Sequence, residues 1–194
     1  MDADDGSEED GAPGEDSADD ASTLTAEPLG GSYARTRLDE FSPKRERFHE
    51  PEYTPVLRSM IAKVIEQEAP IRDDLLVERI ARAHGIGRCG RVVRERVLSV
   101  ARRTVHLQRE DTGATFAWPD ASSPGRWETV RAPATTADIR QIEEIALEEL
   151  TAALRSSAGE NREVEVARLF GVRRLSSAAR ARLRAAAPAQ GHFG

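Results

Sequence analysis

The chain has 194 residues, 39% of them hydrophobic, which is enough for one compact domain or two small ones. The formal net charge of −6 hides an uneven layout: residues 1–30 carry eleven acidic residues and no Lys or Arg, leaving 23 acidic and 28 basic residues, a net of +5, for the other 164. No window reaches the roughly 18 apolar residues of a membrane span, the acidic start lacks the basic and apolar parts of a signal peptide, and the single Cys89 excludes an internal disulfide, so a soluble cytoplasmic protein with no membrane partner is expected.

Residues 1–32, rich in Gly, Pro, Ser, Ala and carboxylates, bury too little apolar surface to offset their ordering entropy and are expected to be a disordered acidic leader. Its charge sets it to compete with phosphate for basic surfaces elsewhere in the chain. Residues 33–53 read as an extended arm anchored by Tyr33, Phe41 and Phe48. Thr54-Pro55 then marks a helix start, with Thr54 as candidate N-cap and proline in the first turn. Leu57, Ile61, Val64 and Ile65 form its apolar stripe, and Pro70 stops it.

A second helix is predicted from about Asp73, whose charge and that of Asp74 suit a helix N-terminus, to His84. Leu76, Ile80 and Ala83 fall on its core face, and Gly85 ends it as a left-handed cap. A third helix spans roughly Gly90 to Thr104. On its wheel, Val93, Val97, Val100, Ala101 and Thr104 occupy one side. Arg88, Arg91, Arg94 and Arg102 gather on the opposite side, a cationic face or simply a solvated one. Val105 to Arg109 and the run ATFAW around Asp111 to Gly113 predict a β-hairpin, with Phe116 and Trp118 packing it onto the helices.

Three helices followed by a hairpin give the order of a winged helix over residues 54–131. Beyond a loop from Pro119 to Gly125, a helix is expected from about Ala137 to Ser156. The remainder repeats the first half at an offset of 86 residues, IARAHGI (Ile80 to Ile86) aligning with VARLFGV (Val166 to Val172). The fold class is therefore mainly α with a small β-hairpin: a winged helix-turn-helix plus a second helix-turn-helix-like unit at 132–194.

No motif points to catalysis. Gly85-Ile86-Gly87-Arg88-Cys89-Gly90 matches G-x-G-x-x-G, yet a dinucleotide fold needs a strand before it and an acid about 20 residues on, whereas helix precedes here and Glu110 falls in a hairpin turn. The four histidines are widely spaced and Cys89 has no partner cysteine, so no metal site is expected. Glu143, Glu144, Glu148 and Glu149 read as the solvated side of a helix, and Cys89 as a small buried packing residue. No catalytic residue, cofactor or metal ligand is assigned, and the expectation is a protein that is not an enzyme.

Nucleic acid is the partner that the arginine pattern favours, with DNA ahead of RNA. Arg88, Arg91, Arg94 and Arg102 would face phosphates and base edges, and Arg109 of the wing would add a backbone contact. Arg173, Arg174, Arg180 and Arg184 would form a secondary face on the repeat. The rival expectation is a protein-interaction module, since Glu95 interrupts the run and winged helices also bind proteins. Because the chain holds 26 Arg and 2 Lys, arginine count alone decides little.

EAPIRDDLLVERIARAHGIGRCGRVV (Glu68 to Val93), a wing ending FAW, DIRQIEEIALEELTAAL and EVARLFGVRR together resemble a bacterial family of unknown function. That domain stands at the extreme C-terminus of very large superfamily 1 helicase-like proteins, after a very-short-patch-repair-like nuclease domain. The resemblance runs from Tyr33 to the C-terminus. It implies a nucleic-acid-processing setting, in repair or defence against foreign DNA, with a helicase or nuclease as partner, and it supplies no catalytic residues. The chain has no Walker A sequence and no nuclease domain, so it reads as an accessory protein or the remnant of a helicase gene.

Overall fold

A computed structural model describes residues 30–187, and the chain there is mainly α-helical with small sheets. Strand β1 (Gly31–Tyr33) leads through three 3-10 turns, Asp39–Phe41, Arg45–Arg47 and Pro51–Tyr53, into helix α1 (Thr54–Glu68). Pro70 ends α1 as expected, because the residue before a proline is driven to extended backbone, and Ala69 sits at φ −67°, ψ 144°. Thr54 is not the N-cap: Tyr53 occupies that place, and the Thr54 hydroxyl instead accepts from Arg96 Nη2 at 2.9 Å. Most of the acidic leader lies outside the described residues. Gly31 and Ser32, which composition groups with it, belong to β1.

After the two-residue strand β2 (Ile71–Arg72) come α2 (Asp73–Ala83) and α3 (Arg91–Ala101). Asp73 and Asp74 lie in the first turn of α2, where negative charge offsets the helix dipole. At its other end the Gly85 N–H donates to Arg82 O at 2.9 Å and the Ile86 N–H to Ala81 O at 3.0 Å. That pair of bonds is a Schellman cap, and Gly85 takes the positive φ of 68° that it needs.

The hairpin forms between β3 (His106–Arg109) and β4 (Thr115–Trp118), with Gly113 at φ 91° in its turn. β2 adds to it, giving an antiparallel sheet of order β2-β4-β3, with Ile71 opposite Ala117 and Leu107 opposite Ala117 on the other side. Side chains alternate along β4. Ala117 joins the α1–α3 core, whereas Phe116 and Trp118 face the opposite way, onto Ala146 and Trp127. The aromatic residues therefore fasten the hairpin to the second half of the chain, not to α1–α3.

The single helix expected from Ala137 to Ser156 is two 3-10 turns, Thr136–Asp138 and Ile142–Glu144, followed by α4 (Leu147–Ser156). A capping box between Gln141 and Glu144 closes the second turn, and Ile145 and Ala146 are extended. Ile142, Ile145, Leu150 and Leu154 are all buried and Ile139 is half-buried, but burial does not require one continuous helix. α5 (Arg162–Leu169) and α6 (Ser177–Ala186) complete the described chain, and β5 (Arg131–Pro133) pairs parallel with β1.

The offset of 86 residues holds at the second turn. Gly171, at φ 77°, donates to Arg168 O at 2.9 Å, and Val172 donates to Ala167 O at 2.8 Å, the same two bonds as at Gly85 and Ile86. Ile80 and Val97 are buried in the first core, and their counterparts Val166 and Leu183 in the second. The correspondence fails upstream, where the positions matching the start of α1 lie in 3-10 turns.

Candidate nucleic-acid interface

Between the cap of α2 and the body of α3 the chain leaves the core. Gly87, Arg88, Cys89, Gly90, Arg91 and Val92 are all exposed, and a Cβ built on Gly87 or Gly90 would meet no atom within 4 Å. The buried residues of α3 are Val97, Leu98, Val100 and Ala101, all in its second half. The helix is thus anchored at its C-terminal end and presents its first turn to solvent.

Gly90 caps α3 without a side-chain hydrogen bond, and no acid lies in its first turn, as in α1 and α6, whereas α2, α4 and α5 each carry two there. Arg91 stands at the positive end of the helix dipole, an arrangement that an approaching anion relieves.

The predicted arginines are not equivalent. Arg88 and Arg102 are exposed, and the Arg91 side chain is 84% exposed, with an exposed contact to Glu95 at 3.5 Å that contributes little. Arg94 departs from the expectation: it turns back to Asp73 at 2.7 Å and is partly covered, so it belongs to the α2–α3 contact more than to the open face. Arg109 is exposed at the end of β3. On the second unit Arg173 and Arg174 are exposed, while Arg180 and Arg184 both approach Glu163, at 3.7 and 3.4 Å.

Sequence reasoning misses Arg103, exposed beside Arg102, and Val92, which at 61% is the one exposed large hydrophobic side chain among the described residues. A wheel could find Val92, since it falls about 100° from Arg91 and well off the apolar stripe. Cys89 is exposed, contrary to the packing role expected for it. Partial burial pushes its thiol up and Glu78 adds to this against Arg82, so the neighbouring arginines do not activate it.

Three buried carboxylates, Glu68, Glu110 and Glu149, tie separate segments together, and Glu110 is the one that joins the hairpin to the second half. Glu149 belongs by pattern to a solvated helix side, but it is fully buried and accepts from Arg131 Nη2 at 2.7 Å and from Arg140 Nη1 and Nη2 at 2.9 and 2.8 Å. Burial pushes its carboxyl up, and the two guanidiniums hold it below the usual range. Glu68 accepts from the Tyr33 hydroxyl at 2.6 Å and the Thr36 N–H at 2.9 Å, and burial together with that carboxylate raises Tyr33 to about 12. Glu110 accepts from the Leu147 N–H at 2.9 Å, at the start of α4, and from Arg182 Nη1 at 2.8 Å. The hairpin, α4 and α6 are therefore fixed to one another, and α3 projects from a braced frame.

Residues 46–95 match a family model described as a protein of unknown function (DUF3320). The matched segment runs from the last part of the arm through α1 and α2 into α3, and so includes the exposed turn. No curated protein and no solved structure matches the chain. No helix among the described residues is long and apolar enough to cross a membrane.

Proposed function

We propose that this chain is a non-enzymatic nucleic-acid-binding module, acting on DNA ahead of RNA in the service of a helicase or nuclease complex. The observation that carries this reading is the exposed run from Gly87 to Val92, with Arg88 and Arg91 at the acid-free start of α3. Arg102 and Arg103 are exposed just past the C-terminal end of the helix, and Arg109 lies on the hairpin. The element order α1, β2, α2, α3, β3, β4, with its β2-β4-β3 sheet, supports a winged helix in which α3 enters the major groove and the hairpin is the wing. Arg173 and Arg174 at the corresponding turn of the second unit supply a secondary contact. Contacts of this kind are chiefly to phosphates, so binding is tolerant of sequence and sensitive to salt.

A second reading, a protein-interaction module docking on a helicase or nuclease, is favoured by Glu95 within the exposed face and by the withdrawal of Arg94 toward Asp73. Cys89 separates the two, because it is the sole cysteine and lies inside the face. Saturating duplex DNA should slow maleimide labelling of Cys89 at low salt, and the protection should vanish at high salt. Labelling at the same rate with and without bound duplex would remove α3 from the interface.

A further inference from the structure

Val92 is unexplained by packing. Arg91 and Arg94 share its turn with Val93, and Val92 itself is 61% exposed, on a side of the helix away from the apolar stripe. Taking Arg91 as zero on the helix wheel, Glu95, Ser99 and Val92 fall at about 40°, 80° and 100°, one open stripe of α3, with Arg88 in the turn before the helix and Arg102 at its C-cap. Val92 is the apolar edge of that stripe. Its position in the first turn is the one from which a groove-docked helix reaches base edges.

We infer that Val92 reads the 5-methyl group of thymine in the major groove, giving the module a preference for A·T-containing duplex over its phosphate-driven background. The inference rests on the nucleic-acid reading proposed above. The chemistry is specific to one base: of the four base pairs only those containing thymine present a methyl in the major groove, and apolar side chains are its usual contact. Charge complementarity commits the occupant, since the exposed Arg91 adjoins the valine and the exposed Arg88 lies in the turn just before it, and both would bring it against a polyanion. A single buried methyl on a valine gives a modest preference, roughly three- to fivefold.

The experiment compares two duplexes of identical alternating A·T sequence, one containing thymine and the other deoxyuridine, which lacks only the methyl. Fluorescence anisotropy at fixed salt is read for the full chain and for Val92→Ser, a change at an exposed site that leaves the core untouched. The full chain should bind the thymine duplex roughly threefold tighter. Val92→Ser should bind both duplexes equally, with the affinity that the full chain has for the deoxyuridine duplex. Equal binding of both duplexes by the full chain, or a preference that survives in Val92→Ser, overturns the role of Val92 and leaves nucleic-acid binding standing. Salt-insensitive or absent binding to either duplex overturns both.

Discussion

Gly85 and Gly171 end α2 and α5 with the same pair of backbone hydrogen bonds, at φ 68° and 77°, but in different surroundings. A Cβ on Gly85 would meet nothing within 4 Å, while one on Gly171 would lie 2.9 Å from Ile139 Cγ1. Left-handed backbone costs an L-residue about 1–2 kcal/mol. Gly85→Ala should therefore lose about that much, and Gly171→Ala distinctly more, because Ile139 must also move. Urea unfolding of the two variants measures the difference, and equal losses would contradict the packing described at Gly171.

Glu149→Gln leaves Arg131 and Arg140 buried without their counter-charge. Removing one partner of a buried ion pair costs about 3–5 kcal/mol. Glu163→Gln removes a carboxylate from the partly exposed pairs with Arg180 and Arg184 and should change stability by less than about 1 kcal/mol. Chemical denaturation of both variants checks the contrast, and similar losses would mean that Glu149 does not tie β5 and Arg140 to α4.

His84 is buried, its Nδ1 2.7 Å from Ile80 O and its Nε2 3.2 Å from the Tyr53 hydroxyl. Burial pushes its pKa below 6.5, although the Ile80 carbonyl opposes this. The folded chain therefore takes up the proton less readily than the unfolded chain. The stability due to neutral His84 is complete above the unfolded pKa of about 6.5 and is lost as pH falls through the folded value. His84→Phe places there the residue that the second turn carries at Phe170, and it should flatten the fall in melting temperature below about pH 6.5. An unchanged pH profile would show that another group carries the dependence.

Within the exposed face the charges are graded. Glu95→Gln removes the one carboxylate of the α3 stripe and should tighten duplex binding, most at low salt. Arg91→Ala should weaken binding more than Arg94→Ala, since Arg94 is already engaged by Asp73 at 2.7 Å. Anisotropy titrations rank the three variants, and the reverse order for the two arginines would place the interface on the α2 side of α3.

Local chemistry makes much of this legible in the sequence. Pro70, Gly85, Gly113 and Gly171 each demand a particular backbone, and the structure breaks or turns the chain at each. Long-range pairings are not legible. β1 and β5 meet across 100 positions, and β2 is two residues long, too short for alternation to declare itself. The same limit hides the ion pairs: Glu149 looks like its neighbours Glu143 and Glu148 until Arg131 and Arg140 are brought to it by the fold. A helix wheel misplaces Arg94 for the same reason, because it does not contain Asp73. Residue type alone puts Cys89 in the core, and the open turn that surrounds it is a property of where α3 is anchored.

Whether the exposed turn and outer face of α3 bind nucleic-acid phosphates is tested most directly by the salt dependence of duplex binding. The full chain is compared with a variant carrying Arg88→Ala, Arg91→Ala and Arg102→Ala. All three residues are exposed, so the variant should retain its melting temperature. Its affinity should be weaker on every duplex, and its slope of log affinity against log salt should fall by roughly three, one for each arginine withdrawn from a phosphate. Unchanged affinity and slope in the triple variant would contradict a phosphate-binding α3.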